Sequence, residues 1–161
     1  MQTANKLPLQ FDAIIDAPFG AVGFFTYGEQ VSIELLTEKH APKPAQNRIV
    51  QTIAKQITAY FNHVNHDFKL SVDQHGTPFQ QRIWQAIRMI PCGQVLTYGQ
   101  LAAQIGSGPR AVANACGANN LPLIVPCHRV VAQNGIGGFM QGNPDGIKVK
   151  KWLLKHEGLD F

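Results

Sequence analysis

The sequence predicts an α+β protein of two parts, with the strands concentrated in the first part and the helices in the second. Between residues 9 and 37, three short apolar segments are separated by the turn signals Pro18-Phe19-Gly20 and Gly28-Glu29. This spacing is typical of an antiparallel meander. Most later apolar residues recur at helical intervals. A chain of 161 residues can form one ordinary domain or two small ones.

A helix is predicted for NRIVQTIAKQITAYFNHV, which follows the proline-containing segment HAPKPAQ. Its predicted buried face consists of Ile49, Ile53, Ile57, Tyr60 and Phe61. The stretch SVDQHGTP, residues 71–78, has the composition of a linker. We therefore divide the chain near residue 75, into an N-terminal domain 1–75 and a C-terminal domain 76–161.

The second part contains four predicted helices. PFQQRIWQAIRMIP begins a helix after Thr77-Pro78 that Pro91 stops. Its predicted buried face consists of Phe79, Ile83, Trp84, Ile87 and Ile90. Thr97 is a candidate N-cap for the short helix YGQLAAQIG, which Gly106 would close. After the turn SGP, RAVANACGANN forms a second short helix. In the last helix, IKVKKWLLKHEG, we expect Ile147, Trp152 and Leu153 to face inward and the lysines to face outward.

The two short helices joined by a glycine-containing turn fit a helix-turn-helix, although such pairs also occur in domains that bind no DNA. Charge is uneven along the chain: residues 1–75 carry a net charge of −1, and residues 76–161 carry +5. A basic second half is typical of proteins that bind polyanions, but it also serves solubility. The sequence leaves both interpretations open.

Composition excludes several protein classes. With 45% hydrophobic and 15% charged residues, the chain is neither disordered nor fibrous. No apolar run approaches the roughly 18 residues of a membrane span, and MQTANKLPLQ lacks the features of a signal peptide. Three cysteines without a CxxC motif argue against a disulfide framework. A cytoplasmic location is therefore expected.

The segment LPLIVPCHRVVAQNG places Cys127 directly before His128. A buried cysteine is often only a small core residue. A nucleophilic cysteine needs a base or a positive potential, and a carboxylate commonly orients the base. The second half offers Asp145, Glu157 and Asp160, of which Glu157 lies on the last predicted helix, directly after His156. Glu157 could equally be a solvated helix end.

The remaining cysteines and histidines give no comparable signal. Cys92 and Cys116 lack a following histidine, and we interpret both as structural. His63 and His66 are one helical turn apart, but no cysteine precedes residue 92 to complete a zinc site. We therefore expect no metal site.

Four segments together resemble the O6-alkylguanine-DNA alkyltransferases in order and spacing. They are FQQRIWQAIRMIPCGQVLTYGQLA (79–102), RAVANACGANN (110–120), PCHRV (126–130) and KKWLLKHEG (150–158). The resemblance covers about residues 77–158, whereas residues 1–75 are similar to the family's N-terminal domain only in length and element order. It implies a small ribonuclease H-like α/β domain followed by a mostly helical domain that bears a helix-turn-helix.

The resemblance implies DNA repair by a single irreversible alkyl transfer from guanine O6 to Cys127, without a cofactor. Transfer from O4-alkylthymine is expected as well. In the family's pattern, His128 takes the thiol proton through a bridging water, and Glu157 holds the imidazolium. Tyr98 matches the tyrosine that protonates the leaving guanine and contacts the neighbouring phosphate. A thioether product resists water, so each molecule would react once.

The resemblance also implies contacts with double-stranded DNA in the minor groove, made by a monomer. Arg110 matches the arginine that fills the stack left by the flipped base. The small residues after it, Ala111, Ala113 and Ala115, would let the helix approach the groove closely. Asn119 matches an asparagine that connects the helix-turn-helix to the active-site strand. Pro122 and Val130 match residues that line the base pocket.

The sequence departs from the family in the loop after GIGGF. Many members have a small residue and glycines that lead directly into the last helix, whereas here MQGNPDG intervenes. Met140 stands where a small residue is usual, and Phe139 replaces a common tyrosine. We include both among the candidate pocket residues.

Two other classes of function compete with alkyl transfer. A non-catalytic sensor of alkylated DNA, similar to the alkyltransferase-like proteins, would not need the cysteine that this chain keeps. A cysteine hydrolase would turn over repeatedly and would need neither Arg110 nor the helix pair. Mass measurement after reaction with an O6-methylguanine duplex would separate these functions.

Overall fold

The computed structural model describes residues 10–71, 73–140, 143 and 145–161. Its contacts divide the protein into two compact units, one ending at Asp73 and the other beginning at Gln74. Residues 1–9, whose sequence lacks the features of a signal peptide, lie outside the described residues. Position 72 of the predicted linker and positions 141, 142 and 144 of the long loop also lie outside them.

The first unit contains the predicted meander. Strands β1 (Ala13–Ala17), β2 (Gly20–Tyr27) and β3 (Gln30–Leu36) form one antiparallel sheet in the order β1-β2-β3. The register pairs Ile14 with Gly23 and Phe24 with Ile33. Helix α1 (Arg48–Asn62) follows, and the side chain of its N-cap Asn47 accepts hydrogen bonds from two backbone N–H groups of the first turn.

One side of α1 supplies the helical part of this unit's core. Its buried residues are Val50, Ile53, Ile57 and Tyr60. The prediction for Ile49 was wrong, because this side chain is 41% exposed. Val50 instead continues the stripe of Ile53 and Ile57 into the first turn, which leaves Ile49 on the adjacent, solvent-facing side. The described part of the unit is thus one antiparallel sheet with one helix, and the ribonuclease H-like assignment stays a prediction.

The second unit is mainly helical. Its helices are α2 (Pro78–Arg88), α3 (Tyr98–Ile105), α4 (Pro109–Gly117) and α5 (Gly146–His156). Two short strands, β4 (Leu96–Thr97) and β5 (Val130–Val131), pair in parallel. Because β4 runs directly into α3 and β5 directly follows Cys127–Arg129, this pairing brings the start of α3 to the cysteine segment. None of the helices within the described residues has the length and apolarity that a membrane crossing requires.

Helix ends follow the sequence signals. Thr77 with Gln80 and Thr97 with Gln100 form reciprocal capping boxes at the starts of α2 and α3. Gly106 ends α3 in the left-handed conformation, with a φ of 68°, which glycine adopts without steric cost. These signals are local, and the predicted helices therefore lie where the sequence indicated.

Two expectations for side-chain direction were wrong. Ala115 is 2% exposed, and its carbonyl accepts a hydrogen bond of 2.9 Å from the Trp84 indole of α2, so it packs inward and cannot line a DNA-facing surface. Lys150 of α5 is fully buried, whereas the lysines of this helix were expected to face outward. Its ammonium is satisfied by the carbonyls of Val130 and Gly138, at 2.7 and 2.9 Å.

Candidate active site

Cys127 lies at the start of a short 3-10 turn, Cys127–Arg129, and not on the strand that follows. Both Cys127 and His128 are buried, with 6% and 1% exposure. The tight turn gives three consecutive side chains different directions. The thiol, the imidazole and the Arg129 guanidinium therefore meet different partners.

Asn119 connects the end of α4 to the thiol. Its Nδ2 donates to the Cys127 sulfur at 3.1 Å and to the Val125 carbonyl at 2.9 Å, and its Oδ1 accepts from the Leu121 N–H at 3.0 Å. The intervening loop turns at Leu123, whose φ of 77° is rare for a residue with a side chain. The Asn119 amide thus braces this loop on both sides of the turn and directs an N–H at the sulfur.

A second thiol lies beside Cys127. Cys116, near the end of α4, is hydrogen-bonded to Cys127, and the Cys127 sulfur is 3.9 Å from the Cys116 carbonyl oxygen. This hydrogen bond and burial raise the pKa of Cys127, whereas the Asn119 amide and the Lys150 charge lower it. The resting group is therefore a neutral thiol, which must lose its proton before it can act as a nucleophile.

His128 is held by Glu157, the residue that caps the end of α5. Its Nε2 lies 2.7 Å from Glu157 Oε2, and neither side chain is more than 1% exposed. Burial opposes ionisation of Glu157, but hydrogen bonds from His128 and Arg129 outweigh it and hold the pKa of this carboxyl well below its usual range. An ionised carboxylate only accepts hydrogen bonds, so His128 donates from Nε2.

Arg129 completes the clamp on this carboxylate. Its Nε and Nη2 donate to the two Glu157 oxygens at 2.8 and 3.0 Å, and its Nη1 donates to the Ile90 carbonyl at 2.8 Å. Such two-point pairing fixes orientation as well as charge. The Gly93 N–H adds a longer contact of 3.4 Å to Glu157. The carboxylate is consequently fixed before any substrate arrives.

The other ring nitrogen of His128 is available for proton transfer. Burial lowers the pKa of His128 more than the Glu157 carboxylate raises it, so the ring is neutral near pH 7. Nδ1 is buried and has no hydrogen-bond partner among the described residues. A neutral ring that donates from Nε2 has its free lone pair on Nδ1, which can accept a proton.

Tyr98, the first residue of α3, and Lys150 both contact the glycine loop, residues 135–138. Its hydroxyl donates to the Gly138 carbonyl at 3.4 Å, and the Lys150 ammonium is 5.9 Å from the centre of its ring. Burial raises the pKa of Tyr98 to about 12 and lowers that of Lys150 to about 8. Gly137 has a φ of 76°, and a Cβ there would lie 3.0 Å from the tyrosine ring. Only glycine fits this close approach.

The candidate pocket residues differ in burial. Val130 is buried and its carbonyl accepts from Lys150, whereas Pro122, Phe139 and Met140 are half-buried. The Phe139 carbonyl lies against Gly146, where any Cβ would be 2.5 Å from the oxygen. Met140 has a φ of 52°, in the left-handed region. The Phe139 carbonyl is thus packed against the first residue of α5.

Two of the candidate DNA-contact residues, Arg110 and Ala111, lie at the opposite end of α4 from Cys116. Arg110 is exposed and Ala111 half-buried in the first turn of α4. A cation at a helix N-terminus is disfavoured by the helix dipole. Cys116, beside the thiol, is six residues further along the same helix, about 9 Å at the rise of an α-helix. One helix thus carries both the exposed arginine and the cysteine that lies beside the Cys127 thiol.

Sequence reasoning missed three residues of this site. Cys116 was interpreted as structural, Arg129 was not assigned a role, and Lys150 was assigned to the surface. A signal existed for Lys150, because it is three residues from both Ile147 and Leu153 on the inward face of α5. None existed for Cys116, whose contact depends on the path of the loop to Cys127. Within the described residues, no group of three or more His, Cys, Asp or Glu could hold a metal ion.

Comparison with known proteins decides the family. Residues 78–159 match the model of the 6-O-methylguanine DNA methyltransferase, DNA binding domain. A methylated-DNA–protein-cysteine methyltransferase of Shigella flexneri is 40% identical over 145 residues, covering 86% of this chain and 82% of that protein. The chain therefore belongs to the O6-methylguanine-DNA methyltransferase family.

Other members match different shares of the chain, and two solved structures share its fold. A Salmonella typhimurium methylated-DNA–protein-cysteine methyltransferase is 55% identical over 85 residues, but this chain spans only 48% of its length. The crystal structure of Mycobacterium tuberculosis O6-methylguanine methyltransferase covers 89% of this chain and 90% of that one, at 34% identity and a TM-score of 0.74. A structure of M. tuberculosis OGT in complex with DNA has a TM-score of 0.73 at 33% identity.

We expect Glu157→Gln to lower the free energy of unfolding at pH 7 by about 3–5 kcal/mol, as when one partner of a buried ion pair is removed. The folded pKa of Glu157 is depressed, so its contribution is complete above about pH 4.3, the pKa of an unfolded glutamate. It is lost as the pH falls further. Urea titrations at several pH values should show the wild type and variant converging in acid. Asp160→Asn, at an exposed position, is the control, and a difference that persists unchanged in acid would contradict this account.

Proposed function

We propose that this protein repairs DNA by moving an alkyl group from guanine O6, and also from thymine O4, onto its own Cys127. The observation that carries the proposal is a buried thiol contacted by the Asn119 N–H, beside a histidine clamped by an ionised glutamate, in a chain of this family. Shigella flexneri and Salmonella typhimurium relatives are named methylated-DNA–protein-cysteine methyltransferases. Transfer to a cysteine of the protein is the reaction that this name describes.

The two ring nitrogens of His128 have different roles in the proposed reaction. The Cys127 thiol gives its proton, through a bridging water, to Nδ1, and the ionised Glu157 stabilises the resulting imidazolium at Nε2. The thiolate then attacks the saturated carbon on guanine O6, so that a carbon–sulfur bond forms as the carbon–oxygen bond breaks. A sulfur nucleophile suits this displacement, and the Asn119 N–H stabilises its charge before attack.

The leaving guanine gathers negative charge and takes a proton as the bond breaks. Tyr98 is the proposed donor, because its raised pKa keeps the hydroxyl protonated at neutral pH. The products are unmodified guanine and an S-alkyl cysteine, and the proton that His128 took from the thiol replaces the one that Tyr98 gave, so that protons and charge balance. Because water does not cleave a thioether, each protein molecule acts once.

DNA would be bound by α3 and α4 as a helix-turn-helix in the minor groove, by a monomer. The M. tuberculosis OGT complex with DNA supports DNA as the partner. The exposed Arg110, the neighbouring Ala111 and the +5 charge of residues 76–161 supply the contact surface. A base inside a duplex is out of reach of a buried thiol, so the target must be flipped out.

The proposed reaction also bears on the cofactor, the cellular location and the roles of the two units. The residues that carry it need no cofactor, and three free cysteines suit a reducing compartment, so we assign the protein to the cytoplasm. The units bounded near residue 75 would serve as an N-terminal ribonuclease H-like domain, 1–75, and a C-terminal repair domain, 76–161. The sensor alternative is not favoured, because the cysteine is present.

Incubation with a duplex containing O6-methylguanine is expected to add one methyl group per molecule, on the peptide that contains Cys127. Mass spectrometry of the intact protein and its peptides measures this directly. Cys127→Ala should abolish transfer while keeping DNA binding, because a buried sulfur makes no phosphate contact. Turnover beyond one equivalent, or methylation at Cys92 or Cys116, would contradict the proposal.

Arg110→Ala is expected to slow repair of duplex DNA by about tenfold to a hundredfold. Loss of a stacking contact with the strand costs about 1–3 kcal/mol, and ~1.4 kcal/mol is a factor of ten. Reaction with free O6-benzylguanine, which needs no flipping, should stay close to the wild-type rate. Lys148→Ala removes the same charge from a side chain that is 84% exposed and serves as the control. Equal losses on free base and duplex would exclude a role in base flipping.

A further inference from the structure

Gln74, the first residue of the second unit, contacts the amide that serves the nucleophile. Its Nε2 donates to Asn119 Oδ1 at 2.7 Å and more weakly to Asn120 Oδ1 at 3.2 Å. Its own backbone carbonyl accepts from the Gln81 side chain of α2 at 2.7 Å. Gln74 is therefore fixed to α2 at one end and to the Asn119 amide at the other.

With Gln74 in place, every hydrogen-bonding position of the Asn119 side chain is used. Oδ1 accepts from the Gln74 side chain and the Leu121 N–H, and Nδ2 donates to Val125 and to the Cys127 sulfur. A primary amide has two acceptor and two donor positions, so none remains. If the amide rotated by half a turn, donors would face donors and its oxygen would face the sulfur.

We propose that Gln74 is a positioning residue for the alkyl acceptor, since its hydrogen bond to Oδ1 keeps the opposite, N–H end of Asn119 directed at the Cys127 sulfur. The inference rests on the proposed function, because it assigns the sulfur as the nucleophile. Gln74 acts in two ways. It restrains the amide's rotation, and it polarises the amide so that the N–H becomes a stronger donor. Both effects favour the thiolate over the thiol.

The test variant is Gln74→Met, which keeps the length of the side chain and removes the donor. The pH dependence of Cys127 modification by iodoacetamide, quantified on the Cys127 peptide, gives the midpoint of thiol ionisation. We expect this midpoint to move to higher pH. Benzyl transfer from free O6-benzylguanine at pH 7 should slow by about threefold to tenfold, the usual effect of one hydrogen bond.

Two controls separate positioning from general loosening. Asn120→Ala removes the weaker acceptor of Gln74 but keeps the bond to Asn119, so its midpoint should match that of the wild type. Gln85→Met makes the same chemical change at an exposed position of α2. A merely structural loss would expose the sulfur and relieve the burial that raises its pKa, so the modification rate would rise and the midpoint would move to lower pH, opposite to the expected shift.

A double-mutant comparison tests whether Gln74 acts through Asn119. In the Asn119→Ala background, Gln74→Met is expected to cause no further shift of the midpoint. An unshifted midpoint in Gln74→Met alone would overturn the proposal, as would an equal further shift in the Asn119→Ala background. If Asn119→Ala does not fold, the midpoints of Gln74→Met and Asn120→Ala are compared instead, and the proposal requires a higher midpoint in Gln74→Met. Iodoacetamide needs no alkyl-transfer activity, so failure of benzyl transfer in the wild type would count against the proposed function and leave this test intact.

Discussion

The buried carboxylate of Glu157 determines how the rest of the site is arranged. It accepts hydrogen bonds from His128 and Arg129, two consecutive residues of the turn that begins with Cys127. A carboxylate without solvent exposure is costly unless its lone pairs are satisfied, and here both oxygens are paired. The end of α5 and the cysteine turn are therefore joined through a charge that neither could bury alone.

Lys150 makes a second connection between α5 and the site. Its ammonium joins the carbonyls of Val130 and Gly138, which lie on the strand after the turn and on the glycine loop. Asn119 contacts the thiol from the end of α4, whereas Lys150 connects α5 to the strand after the cysteine turn and to the glycine loop. Nδ1 of His128 has no hydrogen-bond partner among the described residues, and Cys116, which lies beside the thiol, is on the same helix as the exposed Arg110.

Local signals allowed much of the fold to be predicted from sequence. Thr97 and Gly106 bound α3 as expected, because capping depends on a few adjacent residues. The motif around Cys127 and the glutamate after His156 were likewise recognisable, and the structure places them together at 2.7 Å through His128. Side-chain direction was harder to predict: Ile49, Ala115 and Lys150 were each assigned to the wrong environment. The burial of Ala115 and Lys150 depends on contacts from distant segments, as the carbonyls of Val130 and Gly138 around Lys150 illustrate.

The proposed transfer of the Cys127 proton requires that the His128 ring be neutral, with its proton on Nε2, so that Nδ1 can accept the proton of the thiol. Nitrogen-15 NMR of the histidine ring in the unreacted protein measures this most directly. At pH 7, we expect the Nε2 resonance of a protonated nitrogen and the Nδ1 resonance of an unprotonated one. A proton on Nδ1, or protons on both nitrogens, would contradict the proposed path of the thiol proton.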